Sequence, residues 1–188
     1  MNKSYTRKYL RAPYKADILF ADDGFVFKAR TMNLSEGGML VDQIPHLPSK
    51  DIVPFIITIP YYPEFKNYSL ERLRAYAPEL FPSKVIRVKG SMLKRDDITT
   101  SVDQVFRMKF GVQFIEISPF NQKVVAEYVE IFTSNLIHLQ KLIESSAAFA
   151  DALESARVLA KILGYPGDIK LATLRSMVSH DYKSLQWL

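Results

Sequence analysis

The chain has 188 residues, and 48% of them are hydrophobic, which excludes wholesale disorder. It contains no cysteine, so a disulfide framework, a thiolate metal site and a cysteine nucleophile are all excluded. The formal net charge is +5. Five basic residues precede the first acidic residue, Asp17: Lys3, Arg7, Lys8, Arg11 and Lys15. Such a basic run attracts phosphates, although most charged tails are simply solvated.

Neither a leader nor a membrane span is expected. Residues 1–4 are not followed by the apolar stretch of a signal peptide. No run approaches the roughly 18 apolar residues that a spanning helix needs. We therefore expect a soluble, cytoplasmic protein, and the lack of cysteine fits a reducing compartment.

The first two thirds of the chain read mainly as strands. Residues 1–13 are expected to form a flexible basic arm that ends at Pro13. Strands are predicted at 16–20 and 25–32, joined by a hairpin turn at Asp23-Gly24, and again at 39–41, 51–62, 84–90 and 105–117. Pro54 limits its strand to an edge or a bulge, and a bend is expected at Gly111.

Two segments interrupt this pattern. Residues 61–82 form an insertion rich in tyrosine and proline, with a short helix predicted at 69–76. Its aromatic side chains either form a partner surface or simply pack. Residues 94–103 are predicted to be a polar loop.

Helices are predicted after Ser118, which caps a helix with Pro119 in its first turn. Steps of four and three separate the apolar residues that follow, which is a heptad rhythm: Val125, Val129, Phe132, Leu136, Leu139 and Ile143. Ala150 and Leu153 extend it. The part from 125 to 132 is expected to pack on the strands. The part from Leu136 to Leu153 either pairs with another copy as a homo-oligomer or folds back on a last helix predicted at 168–179.

Two short motifs stand out at the head of the strand region. Arg7 and Arg11 are four residues apart in the pattern Arg-x-x-x-Arg. About twenty residues later comes Asn33-x-Ser35-x-x-Gly38, in a segment predicted to be a turn. Each motif alone is weak, but their order and the hairpin between them make the combination specific.

In these residues the sequence resembles the PilZ family, whose signature is Arg-x-x-x-Arg followed by Asp or Asn-x-Ser-x-x-Gly. Residues 109–115 also resemble the family's closing strand, and Ser118-Pro119 the start of its C-terminal helix. The resemblance covers roughly residues 5–130. It implies a mainly β fold, a six- to seven-stranded antiparallel β-barrel with a C-terminal α-helical extension. The implied division is a basic arm at 1–13, barrel and capping helix at 14–130, and helical extension at 131–188.

The resemblance implies a receptor for cyclic di-GMP (c-di-GMP) and not an enzyme. Arginine's planar fork can bond guanine O6 and N7 or pair with phosphate, which gives Arg7 and Arg11 the main contacts. Asn33 and Ser35 suit a base edge or a phosphate, and Gly38 allows close backbone approach. Lys8, Tyr9 and Gly37 are secondary candidates. The ligand is expected to order the arm and so present a surface to an unidentified protein partner.

Three alternatives remain at this point. The chain could be an interaction module that binds no nucleotide, although it keeps the signature. It could bind nucleic acid through the basic arm, with a steep salt dependence. Catalysis is disfavoured because Ser35 has no evident base, and no cofactor is expected. A metal is disfavoured because His46, His138 and His180 lack ligand spacing.

Overall fold

The computed structural model describes residues 8–46, 48–93, 109–146, 150–166 and 168–186. The strands are β1 (Ala12–Pro13), β2 (Asp17–Asp22), β3 (Phe25–Ser35), β4 (Gly38–Asp42), β5 (Ile52–Ile59), β6 (Lys84–Leu93) and β7 (Phe110–Glu116). The helices are α1 (Leu70–Arg74), α2 (Pro119–Ser145), α3 (Ala150–Ile162) and α4 (Leu171–Gln186). Arg7, the whole of the predicted 94–103 loop and residues 105–108 of the 105–117 segment lie outside the described residues.

Six of the strands form a closed antiparallel barrel in the order β3-β2-β5-β6-β7-β4, with β4 returning to pair with β3. Strand β1 adds to β3 as a seventh strand. Burial alternates along β5, so that Val53, Phe55, Ile57 and Ile59 point into the core. Pro54 lies just beyond the short paired segment that joins β5 to β2, so its missing N–H interrupts no pairing with β2. The expected mainly β barrel with a helical extension is confirmed.

The β3 strand is longer than the sequence suggested. The turn before it forms as predicted, with positive φ angles of 47° at Asp23 and 82° at Gly24. The strand was expected to end at residue 32, but it continues through Ser35, with a register shift between Thr31 and Asn33. Pairing with both β1 and β4 keeps this end extended, so Asn33 and Ser35 lie in the strand and the turn contains only residues 36–37.

The insertion between β5 and β6 packs on the helices. Phe65 and Leu73 are buried, and Ser69 caps α1 by accepting a hydrogen bond from the Arg72 backbone N–H. Asn135 of α2 is buried; its Oδ1 accepts from the Phe65 N–H at 2.8 Å and its Nδ2 donates to the Pro63 carbonyl at 2.9 Å. The packing interpretation of these aromatic residues is therefore the one that the structure supports.

Helix α2 joins the barrel to the other helices. Ser118 caps it, accepting from the Asn121 N–H at 3.2 Å. Its first half, including Val125 and Phe132, packs on the barrel as predicted.

The second half of α2 contacts α3 and α4, and Leu136, Leu139 and Ile143 are at most 1% exposed within the single chain. The fold-back interpretation is therefore the one that the packing of these side chains supports, and the homo-oligomer stays a prediction. The heptad does not continue to Leu153 in one helix, because α2 ends at Ser145, and the last helix begins at Leu171 instead of 168. None of the helices described has both the length and the apolar character needed to cross a membrane.

Candidate ligand-binding site

Strand β1 fixes the end of the N-terminal arm beside the end of β3. Ala12 pairs with Leu34 and Pro13 with Asn33, and Ala12 is fully buried. The Tyr128 hydroxyl of α2 donates to the Pro13 carbonyl at 2.8 Å. The last two residues of the expected flexible arm are thus a strand, and Arg11 lies immediately before it.

Tyr9 seats the preceding residues on the turn between β3 and β4. Its ring lies so close to Gly37 that a Cβ added there would be 2.7 Å from the ring Cδ2 atom. The Lys8 ammonium lies 5.1 Å from the centre of the same ring, within cation–π range. The Tyr9 ring thus packs on the turn, and Gly37 makes the space for it.

Ser35 and Gly38 build the turn itself. Ser35 is buried, and its hydroxyl donates to the Gly38 carbonyl at 2.9 Å. A Cβ at Gly38 would lie 2.1 Å from the Val112 carbonyl oxygen of β7, so close approach of two strands requires glycine here. The Ser35 hydroxyl hydrogen is used within the turn, and its oxygen keeps only acceptor capacity.

Asn33 faces a neighbouring space. Its side-chain Oδ1 atom is buried and has no hydrogen-bond partner among the described residues. Buried acceptors are normally paired, so this oxygen is suited to a donor brought by a ligand.

Two adjacent grooves meet at Arg11 and Leu40, which line both. The first, here the turn groove, encloses about 460 Å³, and six of the predicted site residues line it: Lys8, Tyr9, Arg11, Ser35, Gly37 and Gly38. The second, here the helix groove, encloses about 570 Å³ between the barrel and α4 and is lined by Asn33, Lys15, Ser176, His180 and Asp181 among others. Both volumes fall in the usual range for small-molecule sites, about 300–1,000 Å³.

The charges in these grooves favour an anion near their junction. The turn groove has Lys8 and Arg11 against Glu36, and the helix groove has Arg11 and Lys15 against Asp181. The Asp181 carboxylate already accepts a hydrogen bond from the Tyr165 hydroxyl at 2.7 Å.

A larger groove of about 670 Å³ lies on the outer face of β2, β5, β6 and β7. Its lining is mostly apolar and includes none of the predicted site residues. Its Lys89 is paired with Glu116 at 2.9 Å. Chemistry therefore favours the two smaller grooves for a phosphate-containing ligand.

The three histidines lie in separate environments. His46 contacts the buried Asp22 carboxylate at 3.1 Å, and hydrogen bonds from the Ser49 backbone and hydroxyl, together with His46, hold the pKa of Asp22 below its usual value. Burial and Lys141 lower the pKa of His138. Within the described parts of the chain, no three histidine or acidic side chains cluster in a way that could hold a metal ion.

Sequence reasoning missed the contribution of α4. Ser176, His180 and Asp181 are more than 140 residues from Asn33, and the packing of α4 against α2 and β1 brings them to the groove that Arg11 also lines. No local pattern marks them. Lys15 was noted only as a charge of the arm.

Comparison with known proteins gives a family match. The model of the PilZ domain matches residues 5–130. Among curated proteins, no sequence matches this chain.

Three solved structures resemble the chain at low identity. The Bacillus subtilis inhibitor of motility, MotI/DgrA, is 16% identical with a TM-score of 0.47, over 67% of this chain and 50% of that one. The Borreliella burgdorferi PlzA protein in complex with c-di-GMP is 15% identical with a TM-score of 0.36, over 65% and 40% of the two chains.

The third is the PilZ domain with c-di-GMP of YcgR from Escherichia coli, 14% identical with a TM-score of 0.40, over 77% of this chain and all of that one. This chain therefore spans only half of the MotI/DgrA chain. The family match covers two thirds of the residues and includes both halves of the signature. The chain belongs to the PilZ domain family.

Proposed function

We propose that the protein is a cytoplasmic c-di-GMP receptor that orders its N-terminal arm on binding and signals to a separate protein. The observation that carries the proposal is the position of Arg11, at the junction of two grooves, one lined by Asn33 and the other by Ser35 and Gly38. Membership of the PilZ domain family supports the choice of ligand.

The chemistry of the grooves fits the two guanines and two phosphates of this ligand. The Arg11 guanidinium can donate two hydrogen bonds to guanine O6 and N7, or pair with a phosphate. Lys8 adds positive charge on one side and Lys15 on the other. Asn33 lines the helix groove, where its side-chain amide is suited to a guanine edge. By its position in the Arg-x-x-x-Arg motif, Arg7 is assigned a second contact with a guanine or a phosphate.

Signalling follows from the placement of the arm on the turn. Tyr9 already rests on Gly37, so a ligand held by Arg7 and Arg11 would fix residues 1–11 over the barrel. An ordered arm presents a surface that a partner protein can bind, and no chemical step is required. Motility, attachment and exopolysaccharide control are the processes that such a receptor would serve.

Titration calorimetry with c-di-GMP tests the proposal. We expect saturable binding by the wild-type protein that excess GTP or RNA does not displace. Arg7→Ala and Arg11→Ala should each weaken binding by about tenfold or more, since hydrogen bonds to charged groups contribute about 1.5–3 kcal/mol. Arg30→Ala, which removes an exposed arginine of β3 outside both grooves, is the matched control. Unchanged affinity in both arm variants would refute the site.

A further inference from the structure

We infer that α4 forms one wall of the c-di-GMP site and that Asp181 reads a guanine base there. This inference rests on the proposed function and extends it, because α4 lies outside the residues 5–130 that the family match covers. The barrel and the helical extension would then bind the same ligand molecule.

The helix groove is built by both parts of the chain. The barrel side supplies Arg11, Lys15 and Asn33, and α4 supplies the opposite side: Ser176, Met177, His180, Asp181 and Ser184. The helix is held in place because Leu174, Val178 and Leu185 are buried and α4 packs on α2. A ligand that reaches from Arg11 into this groove therefore meets a fixed wall.

Neighbouring side chains hold the Asp181 carboxylate in place. Its Oδ2 atom accepts from the Tyr165 hydroxyl at 2.7 Å, and its Oδ1 atom lies 3.3 Å from the His180 Nδ1 atom. Ionised carboxylates have about four lone-pair sites, so acceptor capacity remains for a ligand. Tyr165 is itself buried, which limits the freedom of the pair.

The hydrogen-bonding pattern of this groove complements guanine. Guanine has donors at N1 and at its exocyclic amine, and acceptors at O6 and N7. Asp181 is an acceptor for the donors, and Arg11 donates to the acceptors. Adenine lacks the donors at these positions, so a cyclic adenine dinucleotide would make no such hydrogen bond to the Asp181 carboxylate.

One consequence is that the ligand links the barrel to the helical extension. The first half of α2 packs on the barrel, and its second half packs on α3 and α4. A ligand in the helix groove would therefore bridge the barrel and α4, which α2 already joins. Occupancy of the helix groove would stabilise their relative position, and the extension would respond to the nucleotide together with the arm.

Calorimetry with c-di-GMP tests the inference on the full chain. Asp181→Asn should weaken c-di-GMP binding by about tenfold. Ser176→Glu, which adds a negative charge at an exposed position of the groove, should weaken it by roughly three- to tenfold. Ser179→Glu adds the same charge to α4 outside the groove and should leave the affinity within about twofold.

The binding affinities of these variants decide whether α4 takes part in the site. If Asp181→Asn fails to fold in a thermal melt, the Ser176→Glu and Ser179→Glu pair decides alone. Wild-type affinity in Ser176→Glu, or equal losses in both glutamate variants, would overturn the role of α4 while leaving c-di-GMP binding by the wild-type protein intact. Absence of binding by the wild-type protein would instead refute the proposed function, and this inference with it.

Discussion

Replacing Gly38 with alanine should separate β4 from β7. The added Cβ would lie 2.1 Å from the Val112 carbonyl oxygen, whereas real Cβ contacts essentially never fall below 3.0 Å. The obstacle is backbone, so relief requires the strands to move apart by roughly 1 Å. The pairing of Gly38 with Gln113 and the hydrogen bond from the Phe114 N–H to the Gly37 carbonyl lie at this point.

The expected loss follows from these two effects. Overpacking costs about 1–3 kcal/mol, and each weakened hydrogen bond about 1 kcal/mol, so the free energy of unfolding should fall by about 3 kcal/mol. For a chain of this size that lowers Tm by roughly 6–12 °C.

Thermal and urea denaturation followed by circular dichroism would measure the change. Gly111→Ala is the matched control on β7, because its Cβ would meet the nearest atom, Leu93 Cβ, at an ordinary 3.5 Å. We expect Gly111→Ala to stay within about 1 kcal/mol of the wild-type protein. If Gly38→Ala proved as stable as this control, the close-approach argument would be wrong.

Three further changes test other contacts. Asn135→Ala leaves the Phe65 N–H buried and unpaired and should cost about 2–4 kcal/mol in urea denaturation. Gly37→Ala forces the Tyr9 ring off the turn; melting should change little, because a side chain can move, but calorimetry should show weaker c-di-GMP binding. Hydrogen bonds lower the pKa of Asp22 in the folded state, so the ionised carboxylate stabilises the fold at neutral pH and this stabilisation is lost on acidification. The difference in free energy of unfolding between the wild-type protein and Asp22→Asn should therefore become smaller from pH 7 toward pH 3.

Local signals in the sequence predicted most of the barrel. The Asp23-Gly24 turn, the Ser118 cap and the short helix within 69–76 all depend on residues within a few positions of one another, and each forms as expected. Strand β5 likewise lies within the segment 51–62 that its β-branched residues predicted. These features could be predicted because short-range conformational preferences determine them.

The misses involve contacts between distant parts of the chain. Asn33 and Ser35 were placed in a turn by their turn-forming character, but pairing with β1 and β4 keeps them in a strand. The heptad of α2 did not distinguish a second copy from α4 as its partner, since either would bury Leu139 equally well. The position of Asp181 beside Arg11 depends on that packing, so no motif could reveal it.

Calorimetry of c-di-GMP binding to Arg11→Lys, with Arg30→Lys as control, tests most directly whether a planar guanidinium at the junction of the two grooves recognises the ligand. Lysine keeps the charge but cannot form two parallel hydrogen bonds. We predict that Arg11→Lys weakens binding by about tenfold or more and that Arg30→Lys binds like the wild-type protein. Wild-type affinity in Arg11→Lys would show that charge alone suffices and would contradict the account.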